Sequence, residues 1–176
     1  RRRRRRVEFR AGRGSGLMID GYARLLTLIA AAGAGLAAGF YFTFSTVVMR
    51  ALDRLPKSEA VSAMQSMNKT APAPWVVACL STVLVCVALS VMGFRQLDEP
   101  WSVYLLVGSA LYLASIVMTL AFHVPRNDNL DLVDPASTGA ADAWSNFYTS
   151  WTAANHVRTV TSLAGAVSFT VALRVR

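Results

Sequence analysis

Between Trp75 and Phe94 the chain reads WVVACLSTVLVCVALSVMGF, twenty residues without a single charge. No other feature constrains the fold as strongly. A bilayer core is crossed by about 20 apolar residues of helix, and backbone groups in lipid must be satisfied internally, so a run of this kind is a helix rather than an open strand. Three more runs resemble it, at roughly Ala23 to Met49, Trp101 to His123 and Ala153 to Leu173. A soluble four-helix bundle would need polar outer faces, and the second and third runs have none. Only 16% of the residues are charged, against about a quarter in a soluble domain. The reading is therefore an all-α integral membrane four-helix bundle, a single domain over residues 18–176.

The net charge of +8 does not indicate nucleic acid. The opening RRRRRRVEFRAGRGSG supplies eight of the eighteen basic residues and has no apolar period. Residues 1–17 are expected to be a disordered Arg-rich leader, with Met18 an alternative start and the anionic lipid surface the leader's partner. Cys79 and Cys86 stand seven apart on one run, about 10 Å along a helix. They cannot bridge each other, and read as small packing residues.

Four crossings put both termini on one side, with Arg24, Arg95, Arg174, Arg176 and the leader. Arg50, Arg54, Lys57, Lys69 and Arg126 fall on the other. The positive-inside rule places the termini in the cytoplasm of a plasma-membrane protein. Both long connections, Arg50 to Pro74 and Val124 to Thr152, then lie on one face, where function usually sits. In the first, Ala60, Val61, Met64 and Met67 have helical spacing, which predicts a short interfacial helix from Ser58 to the APAP at 71–74. The fourth helix is expected to start near Ala140, after Gly139.

Along that helix Trp144, Tyr148, Trp151, Asn155, Arg158 and Ser162 recur at steps of four and three, so they share one face. An arginine within a membrane run costs several kcal/mol unless it is paired or hydrated, which turns the face inward. Snorkelling of Arg158 to the interface and an interfacial-belt role for the indoles are the plainer alternatives. His156 points elsewhere. On the third run Tyr112, Ser115, Thr119 and His123 form a matching face. Pro125 is expected to stop that helix and to let Asn127 fold back on freed carbonyls near His123.

The segments GFYFTFSTVVMRALDRLP, AMQSMN, HVPRNDNL and WTAANHVRT follow one another in this order. Together they resemble the DUF1772 family of small four-helix membrane proteins, which includes the anthrone oxygenases of polyketide pathways. The sharpest signatures fall on His123, Pro125 and Asn127, and on Trp151, Asn155 and Arg158. Arg50 and the TAPAPW segment depart from the family pattern, away from these residues. The resemblance implies O₂-dependent oxidation of an aromatic, polyketide-like substrate without a cofactor. His123 would be the base, Asn155 and Arg158 the oxyanion donors, and Asn127 part of the same cluster; Trp151, Tyr148 and Tyr112 would bind the flat substrate.

Two other readings stand beside it. The bundle could be a non-enzymatic membrane subunit or a binding protein for a hydrophobic small molecule, its polar cluster only fastening helices. It could also hold copper or iron through His123 and His156 with Asp128 or Asn127, although no close-spaced histidine pair supports a metal. Gly33, Gly35 and Gly39 on the first run permit close helix packing within the chain or in a homo-oligomer or membrane complex.

Overall fold

The computed structural model describes the backbone of residues 2–70 and 73–176, and side chains of residues 20–70 and 75–176. The expected leader lies outside the residues with described side chains, and Ala71 and Pro72 lie outside the described backbone. The chain is helical almost throughout: α1 (Arg2–Thr43), a π-helical turn (Phe44–Val48), α2 (Met49–Asp53), α3 (Lys57–Thr70), α4 (Ala73–Arg95), α5 (Pro100–Met118), a second π-helical turn (Thr119–His123), α6 (Val124–Asp131) and α7 (Ala140–Val175). Gly139 precedes α7 as its N-cap, where the sequence places it.

Among the described residues three stretches are long and apolar enough to cross a membrane: Asp20–Asp53, Trp75–Arg95 and Pro100–Asp131. α7 falls short on composition because Asn155, His156, Arg158 and several hydroxyls interrupt it. It nonetheless lies along the other three. Arg176 meets Asp20 at 3.2 Å where the apolar part of α1 begins, and Asn155 reaches the Tyr41 carbonyl at 2.7 Å near its C-terminal end. On α5, Ser168 donates to the Tyr104 carbonyl at 2.8 Å and Arg158 to Thr119 at 3.0 Å. Both pairings are antiparallel. Val157, Val160, Leu163 and Val167 face outward while Asn155, Arg158, Ser162 and Ser168 are buried. An apolar outside and a polar inside suit lipid as solvent and would not suit water. The result is an all-α membrane bundle in which α7 is the fourth helix.

Close approach of α5 and α7 depends on two glycines. A Cβ on Gly165 would stand 3.1 Å from the Gly108 carbonyl oxygen, and one on Gly108 would press the Phe169 ring at 2.8 Å. Small residues at a crossing let backbones touch where no hydrophobic force drives helices together. Of the glycines on α1, Gly33 packs on Thr82 of α4, whereas Gly39 meets nothing.

A second core caps the bundle at the end that carries both long connections. α3 turns Ala60, Val61 and Met64 inward against Met49, Trp144 and Phe147. The predicted interfacial helix is thus present, one residue earlier than Ser58; Met67, expected on its apolar face, is exposed. Gln65 ties α3 to the carbonyls of Leu130 and Val133 at 2.9 and 2.8 Å. Trp144 is no belt residue: it is fully buried, and its indole donates to Asp53 at 2.9 Å.

Pro125 does not stop the helix. α6 follows the π-turn without a break, and Pro125 occupies its first turn. In an ordinary helix the pyrrolidine ring clashes with the carbonyl four residues back and its position lacks an N–H. Here the Val124 N–H bonds to the Thr119 carbonyl, five residues back. That wider turn makes room for the ring. Asn127 does not fold back on a carbonyl; its Oδ1 accepts from the Trp151 indole instead.

Candidate functional site

The two signatures meet where α7 passes both π-turns. Arg158 does not snorkel: it is 5% exposed. Its Nη1 donates to Thr119 Oγ1 at 3.0 Å and its Nη2 to Asn155 Oδ1. The guanidinium lies 4.3 Å from the Tyr41 ring centre and 5.5 Å from that of Trp151. No carboxylate pairs with it among the described residues. Neutral oxygens and two π faces therefore stabilise the cation, and Nε is buried without a partner.

Asn155 is 0% exposed. Its amide donates to the Tyr41 carbonyl at 2.7 Å and to Ser45 Oγ at 2.6 Å, and its oxygen accepts from Arg158. Both amide N–H groups are used within the chain, so Asn155 orients Arg158 and has no N–H left for a ligand. Ser45 was not visible as a site residue in the sequence. It sits in the first π-turn, which bears no proline or other local signal. π-turns inside α-helices recur at functional sites, and here both flank the same cluster.

His123 is 1% exposed and closes the second π-turn. Its Nδ1 lies 3.3 Å from the Met118 carbonyl, and its Nε2 is buried without a partner. The Trp151 ring stands edge-on to the imidazole at 5.1 Å between centres, and its Nε1 donates to Asn127 Oδ1 at 2.9 Å. Trp151 is the joint between the signatures: it touches His123 and Asn127 on one side and faces Arg158 on the other.

The remaining predicted residues lie farther out. Tyr112 is fully buried deeper in the bundle, its hydroxyl 3.4 Å from the Cys79 carbonyl. Tyr148 is half-buried in the capping core, 6.2 Å from Trp144 between ring centres. His156 is exposed while His123 is buried, and among the described residues no group of three His, Cys, Asp or Glu side chains is placed to hold a metal. Both cysteines are free.

A cleft of about 430 Å³ opens nearby, between α6 and the first turns of α7. Pro125, Arg126, Phe147 and Ser150 are in its wall; His123 and Arg158 are not.

A family model described as anthrone oxygenase matches residues 63–168, more than half of the chain. The chain belongs to the anthrone oxygenase family. The match takes in the Pro125 turn and the Trp151–Arg158 face, while Tyr41 of α1 and Ser45 of the first π-turn, which complete the cluster, precede it. No curated relative and no solved structure matches the chain.

Proposed function

We propose that this anthrone oxygenase-like membrane protein oxidises a flat, electron-rich aromatic methylene with O₂ at the cluster between α5 and α7. The observation that carries the reading is a pair of unpartnered nitrogens, His123 Nε2 and Arg158 Nε, buried beside aromatic faces in a family member. A buried polar atom without a partner costs stability, and a reacting group would supply what each lacks. His123 Nε2 takes a proton from the methylene carbon. The negative charge passes to the ring-opposed carbonyl oxygen, which the Arg158 Nε–H receives in a dry setting where such a bond is strong. The carbanion adds O₂ to give a hydroperoxide, and loss of water leaves the quinone. An anthrone and one O₂ thus become an anthraquinone and one H₂O. Asn155 and Ser45 act by positioning Arg158. Because His123 is enclosed, the Trp151 indole must swing away from Asn127 to admit substrate.

The test is turnover in nanodiscs, with anthraquinone formation and O₂ uptake followed together against a protein-free control. One-to-one stoichiometry is expected, with His123→Ala reducing turnover about 100-fold or more, the usual contribution of a general base. Quinone formation no faster than the control, or unaffected by His123→Ala, refutes the reading.

A second reading has its own support. The cleft lies beside the cluster rather than within it, as expected if the cluster only fastens α1, α5 and α7. On that reading His123→Ala alters stability and no turnover exists to lose. We further propose a plasma-membrane location with cytoplasmic termini, from the basic residues at that end.

A further inference from the structure

The cleft between α6 and α7 is not absorbed by the reaction. We propose that it is a binding site for the phosphate group of an anionic phospholipid, with Arg126 as its cation. Three observations carry this.

The first is depth. The rod from Pro100 to Asp131 is continuous. At about 1.5 Å per residue Arg126 stands some 39 Å along it, past a hydrocarbon core of about 30 Å and among the headgroups. Lipid phosphates lie at that level.

The second is the state of Arg126. An interfacial arginine usually waves free, whereas this one is held. Its guanidinium carbon is 3.3 Å from the Phe122 ring centre, its Nε donates to Ser150 Oγ at 3.3 Å, and Nη1 reaches toward the Phe122 carbonyl at 3.5 Å. Among the described residues no carboxylate pairs with it. A planar guanidinium fixed in this way presents its remaining N–H groups as a fork suited to phosphate.

The third is the rest of the wall. Asn129 and Asn146 line the cleft, both exposed, their amides making no hydrogen bond among the described residues. Leu130, Val133 and Phe147 form the apolar part. One amphiphile would use both halves, its phosphate on Arg126 and the amides, its glycerol and first methylenes on the apolar side. Among the described residues no carboxylate lines the cleft. A choline or ethanolamine ammonium therefore has no counter-charge there, which selects an anionic headgroup over a zwitterionic one.

The experiment uses the purified full chain in dodecyl maltoside, titrated with dioleoylphosphatidylglycerol or dioleoylphosphatidylcholine, with native mass spectrometry counting retained lipids. One phosphatidylglycerol should be retained about tenfold more tightly than phosphatidylcholine, whose phosphate can meet Arg126 equally but whose ammonium is repelled by it with no carboxylate to offset the repulsion. Arg126→Gln should bring the two to the same level. Asn146→Leu, at an exposed position that packing does not need, should also weaken phosphatidylglycerol retention, so the test survives if Arg126→Gln folds poorly. Arg50→Gln, a cation at the same end but outside the cleft, should change nothing. Equal retention of the two lipids by the wild type overturns the proposal, as does a preference that survives both Arg126→Gln and Asn146→Leu. Displacement of the lipid by inorganic phosphate at an equal concentration also overturns it and assigns the cleft to a free anion, because the apolar half of the wall would then add nothing.

Discussion

Asn155 and Arg158 are one unit, and their substitutions should not add. In Asn155→Leu the amide bonds to the Tyr41 carbonyl and Ser45 Oγ disappear, and Arg158 Nη2 loses its acceptor. The two bonds to α1 and the first π-turn are worth about 0.6–1.7 kcal/mol each in a membrane protein. A buried charge stripped of a partner adds about 3–5 kcal/mol, moderated here by the retained Thr119 bond and Tyr41 ring. A loss of about 4–6 kcal/mol follows. Arg158→Leu removes the charge together with its desolvation penalty. It leaves the Asn155 oxygen without its donor, at about 1–2 kcal/mol, while Thr119 loses a donor but keeps its own bond to the Ser115 carbonyl. In the double variant no stranded charge remains, so it should lose about 2–3 kcal/mol, less than Asn155→Leu alone. Equilibrium unfolding in mixed dodecyl maltoside and SDS micelles, followed by far-ultraviolet circular dichroism, measures all four corners of the cycle. Additive losses, or a double variant less stable than Asn155→Leu, would show that Arg158 is not a buried cation held by Asn155.

Other outcomes follow from the same structure. Single cysteines introduced at Ser58 and Ser137, both exposed, should react with a membrane-impermeant thiol reagent from the same side of sealed vesicles; labelling from opposite sides rules out the four-crossing bundle. Gly165→Ala drives a methyl onto the Gly108 carbonyl, and backbone cannot yield as a side chain does, so a loss of about 1–3 kcal/mol is expected in the same micelle assay; an unchanged midpoint contradicts the close α5–α7 contact. Asn127→Leu deprives the Trp151 indole of its acceptor at about 1 kcal/mol. With the other three tryptophans changed to phenylalanine, Trp151 should then be quenched more readily by acrylamide; equal quenching means that the bond does not hold the ring.

Much of this protein is written locally in its sequence. Uncharged runs dictate helices because lipid offers backbone groups no other partner, and the inward turn of Trp151, Asn155 and Arg158 follows from their spacing and from the cost of charge in hydrocarbon. The interfacial helix, the start of α7 and the family are legible for the same reason: each rests on residues a few positions apart. What the sequence does not reveal is how these pieces adjust to one another. Pro125 reads as a stop because the rule assumes an i→i−4 helix; the wider turn at Thr119–His123 suspends it, and the structure is what reveals that turn. Ser45 and the Tyr41 carbonyl enter the site from a helix more than 100 residues away in sequence, so no local pattern marks them. Asn155 looks like a free donor on a helical wheel. Only the tertiary structure shows its amide spent on α1 and the first π-turn, its role shifted to holding Arg158, and the open cleft placed at Arg126 rather than at His123, because hydrogen bonds and space are shared between helices and belong to none of them alone.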